Sequence, residues 1–433
     1  MREIVTISLG STANRTTALC AQQLTSLSSD ELALERFYSK RDLDHCHSLY
    51  VDHSSSLGPF SLSSTFDLES STESSETISF SPPRSSWLSL FPSRPARLFP
   101  FSGWLHRGAF DRYSYGTASM EDSYFSNDLI DSIRTLIERC DCPSSAVFNS
   151  STGGWAGVCG CLLPLVEEDF GLKSSVFLID DVGSCEVNGL VTTALAYSEL
   201  SKEADVIPLM VQKQAEKVTN SIDLQGLADL NTCEANSFIF SNFITNLLKP
   251  LVQNSKLNLP YFLNQLNLNS RNIFGSKCIL SKKGLTLKEL KEETFGLSSL
   301  YFDLLGQNSD DQSNDDDFLG NSELLVASGV VPSYEFYETL QSKLKPKSVL
   351  YLSKYSNSLP NSCLSPKIET NSDDVCTVSE LANYGPIQSH LIDIFDRFSS
   401  LKRHHFAGDD HIPANSDWDD FKERIQLLKE NYQ

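Results

Sequence analysis

Basic residues are scarce in this sequence relative to acidic ones. Lysine and arginine number 35 against 56 aspartates and glutamates, so the formal net charge at pH 7 is -21. A nucleic-acid backbone and an anionic lipid surface both attract proteins that present a basic face. The charge therefore argues against either as a direct partner. It favours a soluble protein, or one whose partner carries a basic surface.

Long apolar runs are also lacking. No stretch of about 18 apolar residues occurs, so we expect no membrane-spanning helix. The first residues, with Arg2 and Glu3, show neither the apolar region of a signal peptide nor the Arg-rich, acid-free pattern of a presequence. Hydrophobic residues still make up 40% of the 433 residues, which is enough for a globular core and predicts two or three domains.

Metal-binding spacings are missing too. The eleven cysteines include two pairs separated by one residue, Cys140/Cys142 and Cys159/Cys161. Zinc sites usually use wider spacings and a second matched pair, so we expect reduced, buried cysteines and no metal site. His45, His47 and His53 lie in or beside a strand predicted over His47–Asp52, and a surface cluster is favoured over a metal role for them.

Catalytic patterns are equally scarce. No Ser–His–Asp or Cys–His arrangement can be nominated from spacing, so we expect no catalytic residues. Asp180 and Asp181 end a predicted strand, where ligand sites of open α/β sheets lie, but neighbouring strand residues point to opposite faces. The acidic run Gly306–Phe318 lacks the glycine and terminal glutamate of an EF-hand loop and is typical of a solvated loop.

The sequence does contain strand–glycine–helix units. "MREIVTISLGSTANRT" predicts a strand over Glu3–Leu9, a turn at Gly10 and a helix over Asn14–Leu27. Such a turn often prepares a helix N-terminus to receive a phosphate. Taken alone, Gly10 and Asn14 are more typical of a simple turn and helix cap.

A second unit follows a helix predicted over Met120–Cys140. It comprises a strand at Ser144–Asn149, the glycine loop "SSTGGWAG" at Ser150–Gly157, a helix at Val158–Asp169 and a strand at Ser174–Asp180. A helix over Val187–Ser201 and a strand over Ala204–Pro208 continue the alternation. Strands that alternate with helices predict a parallel α/β sheet.

Composition divides the chain into three predicted parts. Residues 1–208 form an α/β domain, and their Ser-rich, aperiodic stretch 53–102 is a disordered insert whose apolar tail docks on a partner or on the chain itself. Residues 209–380 form a second α+β domain, and residues 381–433 form packing helices. The last helix has Ser416 as its predicted N-cap. Its apolar stripe is Trp418, Phe421, Ile425, Leu428 and Tyr432, which predicts packing on the body of the protein.

Two glycine segments resemble the tubulin family. Gly10 and Asn14 stand where tubulins contact the phosphates and the base, and "TGGWAGV" stands where tubulins carry "GGGTGSG". The resemblance implies a tubulin/FtsZ-like fold and a degenerate nucleotide loop of Gly10, Asn14, Gly153, Gly154 and Gly157. Trp155 replaces the threonine and Ala156 a glycine, which would block close approach of a phosphate. The tubulin motif NxDxxE is absent from the second half, so we expect no hydrolysis. We also expect no cofactor, and GTP is the one ligand that the resemblance leaves open.

Trp155 itself has two interpretations. Its indole could stack on a nucleotide base, or it could pack as a core anchor that closes the pocket. The second is favoured, because a large aromatic side chain usually buries its area in packing.

Five segments carry a closer resemblance. They are "MREIVTISLGSTAN", "CHSLYVDHSSSLG", "FDRYSYG", "IRTLIERCDCPSSAVFNSSTGGWAGV" and the ending "DWDDFKERIQLLKENY". Together they resemble the Misato family, tubulin-like proteins tied to mitochondrial distribution and mitochondrial DNA inheritance. The resemblance implies a non-enzymatic factor that acts through protein partners, whether cytoskeletal, chaperonin or mitochondrial-surface proteins, in the cytoplasm and peripherally on mitochondria. The alternatives are a GTP-binding tubulin homologue in cytoskeletal assembly and a tubulin-folding or chaperonin-associated factor.

Overall fold

A computed structural model describes sixteen segments of the chain. They are residues 3–27, 38–39, 42–57, 87–90, 97–101, 110–180, 187–210, 232–253, 259–266, 272–281, 299–303, 324–328, 349–353, 376–382, 386–401 and 418–432. Among these residues, no helix combines the length and the apolar character needed to cross a membrane.

A parallel sheet of six strands forms the centre of the first half. The strands of this half are β1 (Glu3–Leu9), β2 (Tyr38–Ser39), β3 (Asp42–Cys46), β4 (Ser48–His53), β5 (Leu98–Phe101), β6 (Pro143–Ser151), β7 (Ser174–Ile179) and β8 (Ala204–Leu209). The sheet has the order β5-β4-β1-β6-β7-β8, and all of its strand pairs are parallel. The predicted parallel α/β sheet is therefore confirmed. Read along the chain, this is the doubly wound order 3-2-1-4-5-6, whose direction reverses between β1 and β6.

Helices cover the sheet and extend beyond it. They are α1 (Ser11–Leu27), α2 (Ser54–Leu57), α3 (Tyr113–Glu121), α4 (Ser123–Glu138), α5 (Gly154–Phe170), α6 (Val187–Glu203), α7 (Thr232–Gln253), α8 (Leu259–Leu266), α9 (Pro386–Ser400) and α10 (Trp418–Tyr432). Strands β7 and β8 are buried along their whole length. Burial on both faces explains why these strands are apolar runs without alternation.

A second sheet lies in the later half. Its strands are β9 (Gly275–Ser281), β10 (Ser299–Asp303), β11 (Leu324–Ser328), β12 (Val349–Ser353) and β13 (Cys376–Ala382), in the order β10-β9-β13-β11-β12. Only the β11–β12 pair is parallel. Helix α7 joins the two halves, because Asn246 donates to Ser379 Oγ at 3.0 Å and Thr245 donates to Gln23 of α1 at 2.7 Å.

Two predicted helix boundaries are wrong. The single helix expected over Met120–Cys140 is two helices, α3 and α4. The break falls at Asp122, whose side chain accepts from the Tyr124 N–H at 3.0 Å and so caps α4. The glycine loop expected at Ser150–Gly157 ends at Gly153, because α5 already begins at Gly154.

The disordered insert expected over 53–102 is wrong for part of that range. Helix α2, a 3₁₀ turn at Trp87–Leu90 and strand β5 all lie within it. Trp87, Leu88 and Leu98 are buried in one apolar cluster with Tyr50 and Leu57, and the rings of Tyr50 and Trp87 stack at 5.4 Å. The apolar tail therefore docks on the chain itself, one of the two interpretations left open. Residues 58–86 and 91–96, the acidic run 306–318 and Ser416 lie outside the described residues.

Asp205 on β8 makes stability depend on pH. Its side chain is buried, and burial raises its pKa to about 7, against a smaller lowering effect of Lys173. An acid whose pKa is raised on folding stabilises the fold below its unfolded pKa, and this contribution is lost as pH rises to the folded pKa. Stability from Asp205 should therefore fall between about pH 4 and about pH 7.

We expect Asp205→Asn to be more stable than the wild type at about pH 8, by more than about 1 kcal/mol, because one unit of pKa shift corresponds to about 1.4 kcal/mol. At about pH 3 the two proteins should have similar free energies of unfolding, since Asp205 is then largely neutral in both states. Denaturant unfolding at both pH values measures this. Asp128→Asn, at an exposed acid, is the matched control. Equal destabilisation of Asp205→Asn at both pH values would refute the expectation.

Candidate functional site

The crevice between β1 and β6 is the place where a sheet of this topology binds ligands. The turn at Gly10 follows β1, Asp52 and His53 end β4, and Ser151 ends β6. Helices α1 and α5 begin directly beyond these strand ends, at Ser11 and Gly154. The fold therefore brings together the two glycine segments singled out from the sequence.

Gly10 forms the turn that the sequence predicts. Its backbone has φ +96°, a conformation that favours glycine. The Gly10 N–H donates to the Val51 carbonyl at 2.9 Å, so this amide is used within the chain. A Cβ at position 10 would lie 2.7 Å from Trp155 Cδ1, so the indole rests directly against the turn.

Trp155 fills the crevice. Its side chain is 6% exposed and lies among three rings. Its ring centroid is 4.8 Å from that of His53, 5.0 Å from that of Phe101 and 5.1 Å from that of Phe110. The prediction that Trp155 packs as a core side chain is confirmed. The indole occupies the space beside Gly10 where a phosphate would need to approach.

The glycines at the start of α5 are engaged by the preceding segment of chain. The Gly154 N–H donates to the Phe110 carbonyl at 3.0 Å. A Cβ at Gly153, which has φ +74°, would lie 2.7 Å from the same Phe110 oxygen. Exposed amides at a helix N-terminus are what makes an anion site. Here the Gly154 amide already has a carbonyl partner.

Gly157 serves helix packing. It lies in the first turns of α5, against α3. A Cβ at this position would overlap the Tyr113 carbonyl oxygen and lie 3.0 Å from the Thr117 nitrogen. The absence of a side chain thus lets two helix backbones approach closely, which is a different requirement from phosphate binding.

Asn14 links α1 to the neighbouring strand. Its side chain is fully buried, and its Nδ2 donates to the Val51 carbonyl at 2.9 Å. The resemblance to tubulins implies a contact with a nucleotide base at this residue. In the structure the amide group holds β4 against the first helix.

Asp52 is the residue that sequence reasoning missed. Its carboxylate accepts from Ser11 Oγ at 2.8 Å, from Trp87 Nε1 at 2.7 Å and from the His53 N–H at 2.9 Å. Burial raises its pKa, and these hydrogen bonds oppose the rise. In doubly wound folds, an acid at the end of the second strand of the parallel sheet often binds the ribose. The position of Asp52 at a strand end could therefore have identified it from the sequence. In this structure the indole N–H of Trp87, from the same chain, donates a hydrogen bond to the Asp52 carboxylate.

The prediction that the histidines form a surface cluster is wrong for His47 and His53. His47 is buried at the start of β4, where its Nε2 lies 3.8 Å from Glu3 Oε1. His53, at the opposite end of the strand, packs on Trp155, and burial lowers its pKa. The neutral form of His53 is therefore favoured, which suits an aromatic neighbour better than an anion. The side chain of His45 lies outside the described part of the chain.

Comparisons with known proteins leave the family assignment as a prediction. No family model matches the chain, and no curated protein matches it in sequence.

At the carboxyl end of β7, Asp180 is buried and accepts from Thr152 Oγ1 at 3.2 Å. This bond ties the loop after β6 to the next strand. The described residues form no nucleophile–base pair around the crevice.

Proposed function

We propose that the chain is a non-enzymatic, tubulin-like factor that acts by binding protein partners. Its process would be mitochondrial inheritance, including the partitioning of mitochondrial DNA, and mitochondrial distribution and morphology. The partners would be cytoskeletal, chaperonin or mitochondrial-surface proteins. The protein would act in the cytoplasm and peripherally at the outer surface of mitochondria. The process and the partners rest on the resemblance of the five segments to the Misato family.

One observation carries the non-enzymatic part of the proposal. Trp155 packs against Gly10. In the tubulin fold that the chain resembles, phosphates would lie at this position. The amides of Gly10 and Gly154 donate to carbonyls of Val51 and Phe110. A phosphate would have to displace an indole worth about 3–5 kcal/mol of packing and compete with two existing hydrogen bonds. A fold of this kind is better suited to serve as an interaction body.

The nucleotide content of the purified protein tests this. We expect acid extraction and chromatography to recover no stoichiometric guanine nucleotide, and we expect no GTP hydrolysis above background. Protein mixed with a known amount of GTP just before extraction controls for losses. One nucleotide per chain would overturn the proposal and favour the GTP-binding homologue, which the glycine turns and the strand order otherwise suit.

The proposed role in mitochondrial inheritance and distribution needs a separate test. Cells depleted of the protein should show collapsed or clustered mitochondria and uneven inheritance of mitochondrial DNA. Re-expression of the full chain should restore both. Normal mitochondrial distribution and DNA content after depletion would contradict the assigned process, whatever the nucleotide content.

A further inference from the structure

Three metal-ligating side chains meet at the end of the parallel sheet opposite the crevice, where strands β1, β4 and β6 begin. Glu3 is the first residue of β1, His47 immediately precedes β4, and Cys140 follows α4. All three residues are buried. One ligand atom from each lies within 4.8 Å of the other two. Among the residues that the structure describes, this is the group that could hold a metal ion.

We propose that Glu3, His47 and Cys140 form a binding site for a divalent transition-metal ion, with zinc the best fit to the ligands. A thiolate, an imidazole and a carboxylate are all ligands of zinc, and the mixture of soft and harder donors disfavours magnesium and calcium. Two anionic ligands and a neutral imidazole balance a double positive charge. A buried site is stable only when its charges are balanced in this way.

The distances agree with the chemistry. Zinc–ligand bonds of about 2.0–2.3 Å in a tetrahedron place ligand atoms roughly 3.4–3.6 Å apart. His47 Nε2 already lies 3.8 Å from Glu3 Oε1. The other separations, all within 4.8 Å, need to shrink by about 1 Å, which rotation of the side chains can supply. Three protein ligands leave the fourth position to water.

The backbone around the cluster is fixed by hydrogen bonds. The Cys142 N–H donates to Glu3 Oε2 at 2.7 Å, and the Glu3 N–H donates to the Cys142 carbonyl at 2.8 Å. The His47 carbonyl accepts from Thr6 at 2.8 Å. A hydrogen bond to the second oxygen of a ligating carboxylate orients the first oxygen towards the ion. The backbone that carries Glu3 and His47 is therefore held in place by the fold itself.

Taken together, the charged side chains near the cluster do not repel a cation. Burial raises the pKa of the Cys140 thiol to about 12; the negative charges of Glu3 and Asp141 add to the rise, and Arg97 opposes it. The thiol itself donates to the Leu136 carbonyl at 3.6 Å. On binding, the thiol proton leaves to solvent and the sulfur bonds to the metal, so one Cys–SH and one hydrated divalent ion give one thiolate complex and one proton.

The sequence predicted no metal site, because the spacings between its cysteines are not those of usual zinc sites. The three ligands come from three distant segments, and only the order β4-β1-β6 of the sheet brings these segments side by side. Cys142, which is separated from Cys140 by one residue, contributes a main-chain N–H to the cluster.

Metal binding to the purified full-length chain tests the proposal. After chelation, we expect cobalt(II) to bind one ion per chain, with the absorption band of a thiolate–cobalt bond, and zinc to displace it. Cys140→Ser should lose the band and weaken zinc binding by about tenfold or more. Cys161→Ser, at a half-buried cysteine on α5, is the matched control and should bind as the wild type does.

A second measurement separates loss of the site from loss of the fold. Zinc should raise the thermal midpoint of the wild type and of Cys161→Ser, and it should leave that of Cys140→Ser and Glu3→Gln unchanged. Circular dichroism of the metal-free variants checks that they are folded. Absence of stoichiometric cobalt or zinc binding by the wild type would overturn the proposal, and so would equal binding by the wild type and a folded Glu3→Gln variant.

Discussion

Replacing Trp418 by alanine is expected to lower the free energy of unfolding by about 3–5 kcal/mol, the usual cost of truncating a buried Trp. The side chain is 5% exposed, and its ring lies 4.9 Å from that of Phe398 on α9. The Lys422 ammonium lies 5.6 Å from the indole centroid and donates to the Leu401 carbonyl at 2.7 Å. Removing the indole would therefore loosen the contact between the last two helices.

The rest of α10 supports this estimate. Phe421, Ile425 and Tyr432 are buried, and Leu428 packs half-buried against the same core. The Tyr432 hydroxyl accepts from the Ile273 N–H at 2.8 Å and donates to its carbonyl at 3.1 Å. A helix of this length is marginal in water by itself, so its order depends on these contacts. The predicted packing on the body of the protein is confirmed.

Leu427→Ala is the matched control for this helix. Leu427 is 55% exposed, and its truncation should cost less than about 0.5 kcal/mol. Denaturant unfolding of the wild type and both variants gives the comparison. If Trp418→Ala kept wild-type stability but failed to restore mitochondrial distribution in depleted cells, this face of α10 would instead be a partner site.

The strands of the central sheet could be predicted well because of where they lie. β1 was predicted with its exact bounds, and β7 and β8 to within one residue at each end. Strands covered on both faces are short, continuous apolar runs bounded by turn residues, and this is a strong signal. The order of the strands was not predictable, because nothing local records which strands pair.

β5 was missed for a physical reason. Its sequence, Leu98–Phe101, contains Pro100 and follows a Ser-rich stretch, which together indicate a loop. A proline is tolerated in a strand at the edge of a sheet, where one side has no partner strand. β5 occupies such an edge, because within the described part of the chain its strand partner is β4 alone. Its apolar side chains, with Trp87, were the signal that the segment packs.

The glycine residues were located correctly, but their role was ambiguous. A glycine in a strand–turn–helix unit lets a phosphate approach backbone amides, and it equally lets two helices approach each other. These alternatives differ in what lies opposite the glycine. For Gly154 and Gly157 the opposing groups are the Phe110 ring and the Tyr113 carbonyl, and both come from a segment whose position depends on the tertiary fold.

Replacing Gly157 by alanine is therefore expected to destabilise the protein by about 3 kcal/mol, the upper end of the usual cost of overpacking. The added Cβ would overlap the Tyr113 carbonyl and lie 3.1 Å from Gly116 Cα. These neighbours are backbone atoms of α3, so no side chain can rotate away and the two helices must separate. The sign is diagnostic, because alanine in an unobstructed helix interior is about 1 kcal/mol more favourable than glycine.

Gly171→Asn provides the control within the same helix. Gly171 ends α5 with φ +66°, and nothing lies within 4 Å of a Cβ built there. Asparagine tolerates this left-handed conformation, so the change should have little effect. Thermal and denaturant unfolding would compare the two variants with the wild type. A Gly157→Ala variant as stable as the wild type, or more stable, would show that α3 and α5 do not require this close approach. The nucleotide-loop interpretation of Gly157 would then regain its support.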